Sequence, residues 1–253
     1  MPDGPVLCAA KPNRPLKTTL PVCLLFAALA WGGAVTATAA TIQHLKLVER
    51  IDPQFPPGLE IFGITKGGVR CVIDVDAGGR VEDVLILAYT HERFARAVRE
   101  VMPLWRFEPA RVDGRPVSAQ TTIEFTIEAV GVVTTLDLTT YVSQRFETMW
   151  GATFVYHEWK LSDLDAIPVP VTTVAPIYPV ELAERNVRGK VKVDFYIDEE
   201  GRVRLPIVSA SEYPELASAA IFAVRQWKFA PPLRQGRPVL AFASQEFDFN
   251  AKP

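Results

Sequence analysis

Apolar Val191, Val193, Phe195 and Ile197 alternate with Lys190, Lys192, Asp194 and Tyr196. A period of two places one face of a strand in a core and the other outward. Asp198-Glu199-Glu200-Gly201 reads as a turn, after which Val203, Leu205 and Ile207 resume the alternation, so a hairpin is predicted. Pro206 has no N–H for a ladder, so its side of the second strand is expected to be unpaired or bulged. The period then changes. Leu216, Ala220, Ala223 and Trp227 recur at helical spacing, with Pro214 suited to a first turn. A Trp-Lys-Phe-x-Pro run, a turn at Gln235-Gly236 and a last strand over 241–249 complete the unit.

The same plan occurs earlier in the chain. Val69, Cys71, Ile73 and Val75 alternate, residues 76–79 turn, and Phe94, Val98, Val101 and Trp105 repeat helically. Trp105-Arg106-Phe107, a turn at Asp113-Gly114 and a strand carrying Thr121, Ile123, Phe125 and Ile127 follow. Residues 67–128 lie on 189–250 without a gap. Gly79-Arg80-Val81 meets Gly201-Arg202-Val203, and Gly114-Arg115-Pro116-Val117 meets Gly236-Arg237-Pro238-Val239, among nineteen identities. That is an internal duplication. Pro103 should stop the first copy's helix a turn early. Upstream of each copy stands a proline–aromatic–proline marker, Pro53-Gln54-Phe55-Pro56 and Pro176-Ile177-Tyr178-Pro179. Residues 179–186 predict a short helix with Pro179 at its first position, whereas Gly58 and Gly63 predict a loop in the first copy. The fold class is α+β: two tandem small antiparallel-sheet modules, each with a helix on one face, preceded by an N-terminal signal or anchor segment.

The expected domains are a leader over 1–40, a first module over 45–129, a packed connector over 130–167 and a second module over 168–250. The connector is too apolar for a flexible tether. Val142, Phe146 and Met149 predict a helix there, and residues 154–159 are aromatic and strand-like. In the leader, Lys11, Arg14 and Lys17 precede an apolar run over 20–35, and Ala37-Thr38-Ala39 is a small-residue cleavage pattern. Cleavage is favoured, with an uncleaved anchor as the rival. Either way, residue 41 onward faces out of the cytoplasm.

A formal net charge of −2 gives no case for nucleic acid. Cys8 and Cys23 fall in the leader, so Cys71 alone remains beyond it and reads as a small core hydrophobe in the place of Val193. His44, His91 and His157 lack ligand spacing and read as solvated surface. Asp76 and Asp198 each precede a turn glycine, which an Asx turn explains. Trp105 and Trp227 lie on apolar stripes and read as core. No catalytic, metal or cofactor constellation is expected, and the protein reads as a non-enzyme.

What such modules offer is unpaired backbone. A sheet edge is a template for an added strand, and strand addition is a common way to hold an extended peptide. The candidate positions are the last strand of each module: Ala241, Ala243, Gln245, Phe247 and Phe249 in the second, and Thr121, Ile123 and Phe125 in the first. Two linked sites would raise avidity for a partner engaging both.

The lead-in Pro-Ile-Tyr-Pro, the run from Gly189 through Ile197-Asp198 to Gly201-x-Val203, Trp-(Arg/Lys)-Phe-x-Pro and Gly-x-Pro-Val together resemble the C-terminal domain of TonB. The second module matches nearly throughout and the first from Gly67 onward. The resemblance implies a periplasmic protein working with TonB-dependent outer-membrane transport, gripping a receptor peptide, or a segment of another periplasmic protein, near the last strand. Inner-membrane motor proteins are implied partners if the leader is an anchor, which would make the chain an energy transducer. Self-association as a homodimer, with sheets exchanging strands, is a further alternative. Residues 19–40 contain no histidine of the kind that couples TonB to its motor. No long proline-rich spacer precedes the first module, and a transducer usually carries one module rather than two. The fold therefore transfers more fully than the energised role.

Overall fold

The computed structural model describes residues 41–137 and 153–250, with 131–137 described through their backbone. The leader and the helix expected near Phe146 lie outside the described residues. Two short strands, β1 (Ile42–Gln43) and β2 (Lys46–Glu49), open the chain. A 3-10 turn over Glu60–Phe62 stands where a loop was expected. The first module then runs β3 (Lys66–Val75), β4 (Val81–Tyr89), α1 (Glu92–Val101), β5 (Arg106–Glu108), β6 (Ala110–Val112), β7 (Arg115–Val117) and β8 (Ala119–Glu128). An additional strand follows, β9 (Gly131–Asp137), so residues assigned to the connector from the pattern alone continue the first sheet.

After β10 (Trp159–Lys160) and β11 (Pro170–Thr172) comes the second module: α2 (Val180–Glu184), β12 (Gly189–Ile197), β13 (Val203–Ser211), α3 (Pro214–Val224), β14 (Lys228–Phe229), β15 (Leu233–Arg234), β16 (Arg237–Pro238) and β17 (Ala241–Phe249). Pro179 is the cap of α2 rather than its first residue. α1 ends at Val101 and tightens into a 3-10 turn over Met102–Leu104 that contains Pro103. Since α3 ends at Val224, which falls on Met102, the loss at Pro103 is one residue rather than a turn. The first sheet has the order β4-β3-β8-β9 and the second β10-β17-β12-β13. All neighbours are antiparallel except β10, which joins β17 in parallel.

Each helix covers one face of its sheet. Val69, Cys71, Ile73 and Val75 pack with Phe94, Val98, Trp105, Phe125 and Ile127 in one core, and Val191, Val193, Phe195 and Ile197 with Leu216, Ala220 and Val224 in the other. The tryptophans act as ties. Trp105 is fully buried and donates its indole N–H to the Ile51 carbonyl at 2.8 Å, while half-buried Trp227 does the same to Val174 at 2.8 Å. Both acceptors lie just ahead of the proline–aromatic–proline marker, whose rings close the cores: Phe55 meets Phe94 edge-on at 5.5 Å, and Tyr178 meets Phe249 at 5.9 Å.

The hairpin turns are built alike. The Asp76 carboxylate accepts from Gly78 and Arg80, each at 2.8 Å, and Asp198 from Glu200 at 3.1 Å and Arg202 at 2.8 Å. The turn glycines have φ of 80° at Gly79 and 78° at Gly201, and a Cβ on either would stand 1.9 Å from the carbonyl oxygen of Phe107 or Phe229. That closeness arises because those phenylalanines donate their backbone N–H to the glycine carbonyls, at 2.9 and 2.8 Å.

At β13 the bulge expected at Pro206 is present, but it breaks the alternation expected through Leu205. Asp194 pairs with Ile207 but Tyr196 with Arg204, a register shift around Leu205 and Pro206, and Leu205 has φ of 48°. The bulge turns Leu205 to the face opposite Val203 and Val208, away from its own helix.

Replacing Gly201 by alanine should cost about 2–4 kcal/mol, from left-handed strain and the carbonyl clash, read as a lower denaturant midpoint. Burial pushes the Cys71 thiol up to about 12, against roughly 8.5 in the unfolded chain. The native thiol should resist alkylation at pH 8 and react once the chain is unfolded. Because the folded value is the higher, this group's contribution to stability is intact below about pH 8.5 and falls as pH rises toward 12.

Candidate peptide-binding edge

The last strands decide what each sheet offers. β17 is paired on its inner side to β12 over nine residues, from Ala241 opposite Ile197 to Phe249 opposite Gly189. On its outer side, β10 pairs only at Ala241 and Phe242, and the Leu240 carbonyl accepts from the Trp159 N–H at 2.9 Å. Backbone groups alternate sides along a strand, so Ser244, Glu246 and Asp248 also turn their N–H and C=O outward. Among the described residues, no strand pairs with that edge from Ala243 to Phe249. The side chains of Ala241, Ala243 and Phe249 are buried on the helix side, with Gln245 and Phe247 half-buried, while Ser244, Glu246 and Asp248 are exposed.

β8 is the repeat equivalent of β17, and its outer edge is taken. β9 returns after Ala129 and Val130 and pairs from Glu128 opposite Gly131 to Thr122 opposite Asp137. β8 is also paired inward to β3 along its whole length. Thr121, Ile123 and Phe125 are buried side chains on an interior strand. The expectation of an open edge at these three residues is therefore overturned. The physical reason is a tight hairpin that satisfies the outward backbone groups within the chain.

One charged group on the open edge is paired within the module. Lys190 donates to Glu246 at 2.7 Å, which raises the lysine's pKa and holds the carboxylate below its usual range. Ser244 Oγ donates to buried Asp194 at 2.5 Å. Connector residues line the start of the edge. His157 lies against Trp159 with ring centroids 3.9 Å apart, and the Arg234 guanidinium sits 3.3 Å from the Trp159 ring centre. The Asp165 carboxylate accepts from Gln235 and Gly236, each at 2.8 Å, and these bonds lower its pKa.

What the pattern missed is how the modules meet. The sheet faces away from the helices share a third apolar cluster: Val72, Leu85 and Leu87 of the first module with Leu205 and Leu240 of the second, and Tyr156 and Tyr196 against them. Tyr156 lies flat on Tyr89, centroids 4.9 Å and planes 2° apart, and donates to Glu199 at 2.5 Å. Burial and that carboxylate raise the Tyr156 phenol's pKa. Arg204 pairs with Asp83 through both carboxylate oxygens. Arg70 donates to Glu124 at 3.0 Å and lies 3.7 Å from Glu158, whose pKa burial raises. A signal was present: residues 84–88, Val-Leu-Ile-Leu-Ala, break the alternation, as a strand buried on both faces does.

The chemistry-bearing side chains are dispersed. His91 caps α1, its Nδ1 accepting from Arg93 at 3.1 Å, and both it and His157 are half-buried rather than solvated. Among the described residues, no group of three His, Cys, Asp or Glu side chains could hold a metal ion, and no helix is long and apolar enough to cross a membrane.

The family described as Gram-negative bacterial TonB protein C-terminal matches residues 53–127 and again 174–251, together more than half of the chain. The chain belongs to the TonB C-terminal family. Protein TonB of Vibrio cholerae serotype O1 is 33% identical over 67 residues, 26% of this chain and 28% of that protein. Protein TonB of Pseudomonas aeruginosa is 34% identical over 77 residues, 30% of this chain and 22% of that one. For Protein TonB of Klebsiella aerogenes the figures are 40% over 67 residues, 26% and 27%. The match thus spans about a quarter of the length of these curated relatives. The solution NMR structure of Pseudomonas aeruginosa TonB CTD is 29% identical, covering 37% of this chain and 94% of that one, with a TM-score of 0.31. By the family match, the open edge of β17 and the filled edge of β8 lie in two copies of the TonB C-terminal family unit.

Leu240 is fully buried where the modules meet. Leu240→Ala should cost about 2–5 kcal/mol, the range for deleting a buried leucine side chain, measured by urea unfolding.

Proposed function

We propose that this is a periplasmic, non-catalytic protein that binds an extended peptide segment by strand addition along β17, in support of TonB-dependent outer-membrane transport. The carrying observation is the edge from Ala243 to Phe249, which no described strand pairs and whose outward backbone groups belong to Ser244, Glu246 and Asp248. An added strand there makes backbone hydrogen bonds that need no particular side chain, and neighbouring side chains set its preference. β13 is the poorer template. It carries Pro206 and two register shifts that twist the strand and interrupt its pairing. Family membership supports the choice of partner: the N-terminal segment of an outer-membrane receptor, or a comparable periplasmic peptide.

The test is a titration of the protein with receptor N-terminal peptides, followed by backbone NMR. The amides of Ser244, Glu246 and Asp248 should shift and gain protection, while those of Ala243, Gln245 and Phe247 stay protected throughout. Glu246→Pro removes an outward N–H at an edge, where proline is tolerated, and breaks only an exposed ion pair worth less than about 1 kcal/mol. It should keep the fold and weaken binding by at least about tenfold. No shift at the three outward amides with any receptor peptide sinks the proposal. A mass that rises with protein concentration, abolished by Glu246→Pro, would make a second copy the occupant of this edge.

A further inference from the structure

We infer that the first module is a strand-binding site occupied by the chain's own residues 131–137, so that among the described residues the outer edge of the last module strand is open in one copy rather than in both. The duplication carries the argument. β8 and β17 are the same strand of the same unit, each paired inward to the central strand of its sheet in an unbroken register. Their outward backbone groups fall at equivalent positions, Thr122, Glu124 and Thr126 on Ser244, Glu246 and Asp248. In the second module these groups meet no described strand. In the first, β9 lies along all of them, with seven paired positions. β9 therefore occupies the place that an added peptide takes in the proposed function, and it runs antiparallel to β8.

The occupant is hard to displace. β9 is joined to β8 through Ala129 and Val130 alone. So short a link gives an effective concentration on the order of millimolar or more. A peptide free at roughly micromolar concentration is outcompeted about a thousandfold at this edge. The avidity expected of two tandem modules is then absent, and a partner engages one chain at one place. The first module is left to hold the second through Val72, Leu85, Leu87 and Asp83.

The inference rests on the reading that these edges take extended peptides, but its test is made at β8 rather than β17, so the two can fail separately. In the full chain, hydrogen exchange at Thr122, Glu124 and Thr126 should be as slow as at Ile123 and Phe125, and far slower than at Ser244, Glu246 and Asp248. In the two-residue hairpin, Val133 and Thr135 turn their N–H groups toward β8. Val133→Pro with Thr135→Pro should release β9. The three outward amides then exchange freely, while Cys71, Ile123 and Phe125 remain protected. A synthetic peptide of residues 131–137, added at millimolar concentration, should restore protection at Thr122, Glu124 and Thr126. If the double variant does not fold, Thr135→Pro alone carries the same comparison at Thr122 and Glu124. Fast exchange at the outward amides of the unaltered chain overturns the inference. So does a folded variant whose freed amides the peptide leaves unprotected.

Discussion

A backbone N–H at the rim of a sheet has to find an acceptor, and the structure is arranged around how the last strand of each unit does so. Burying such a group without a partner costs more than a hydrogen bond returns. β8 meets the demand inside the chain through β9. Among the described strands, β17 meets it only at its first two residues, through β10. That contrast is the main structural difference between the outer edges of two otherwise repeated units.

The repeated parts are repeated for physical reasons. A turn glycine whose carbonyl receives the Phe107 or Phe229 N–H has no room for a side chain. An aspartate two residues ahead of the second turn residue gathers the loose amides of the turn. An indole reaches back to the segment that precedes the core aromatic. These contacts are local or nearly so, and each constrains residue identity tightly. They were accordingly legible: the hairpins, helices, Asx turns and tryptophan packing could be read from residue type and spacing.

The parts that could not be read are those that one unit imposes on the other. Asp194 and Tyr196 sit on the polar face of an alternating strand, yet Asp194 is buried, because the connector and the first module cover that face. Leu205 looked like a core position of its own unit and instead faces its neighbour, since the bulge at Pro206 reverses the parity of the strand. The open edge at Thr121, Ile123 and Phe125 was expected because a pattern gives the strand but not its neighbours. Nothing in the alternation of β8 distinguishes an outermost strand from an interior one. Only the unbroken apolar run of β4 announced that a strand would be covered twice.

Trp159 and Lys160 have an effect beyond joining the connector to the second sheet. They run parallel to β17 over Ala241 and Phe242 and leave at Leu161, held by the stacking of Arg234 on the Trp159 ring. They work as a doorstop. In the proposed binding mode, a guest strand laid along β17 abuts them end to end and cannot slide toward Leu240, so its starting point is fixed before any of its side chains is read. One-residue slippage, which inverts every side chain of a strand, is thereby blocked in that direction by the host.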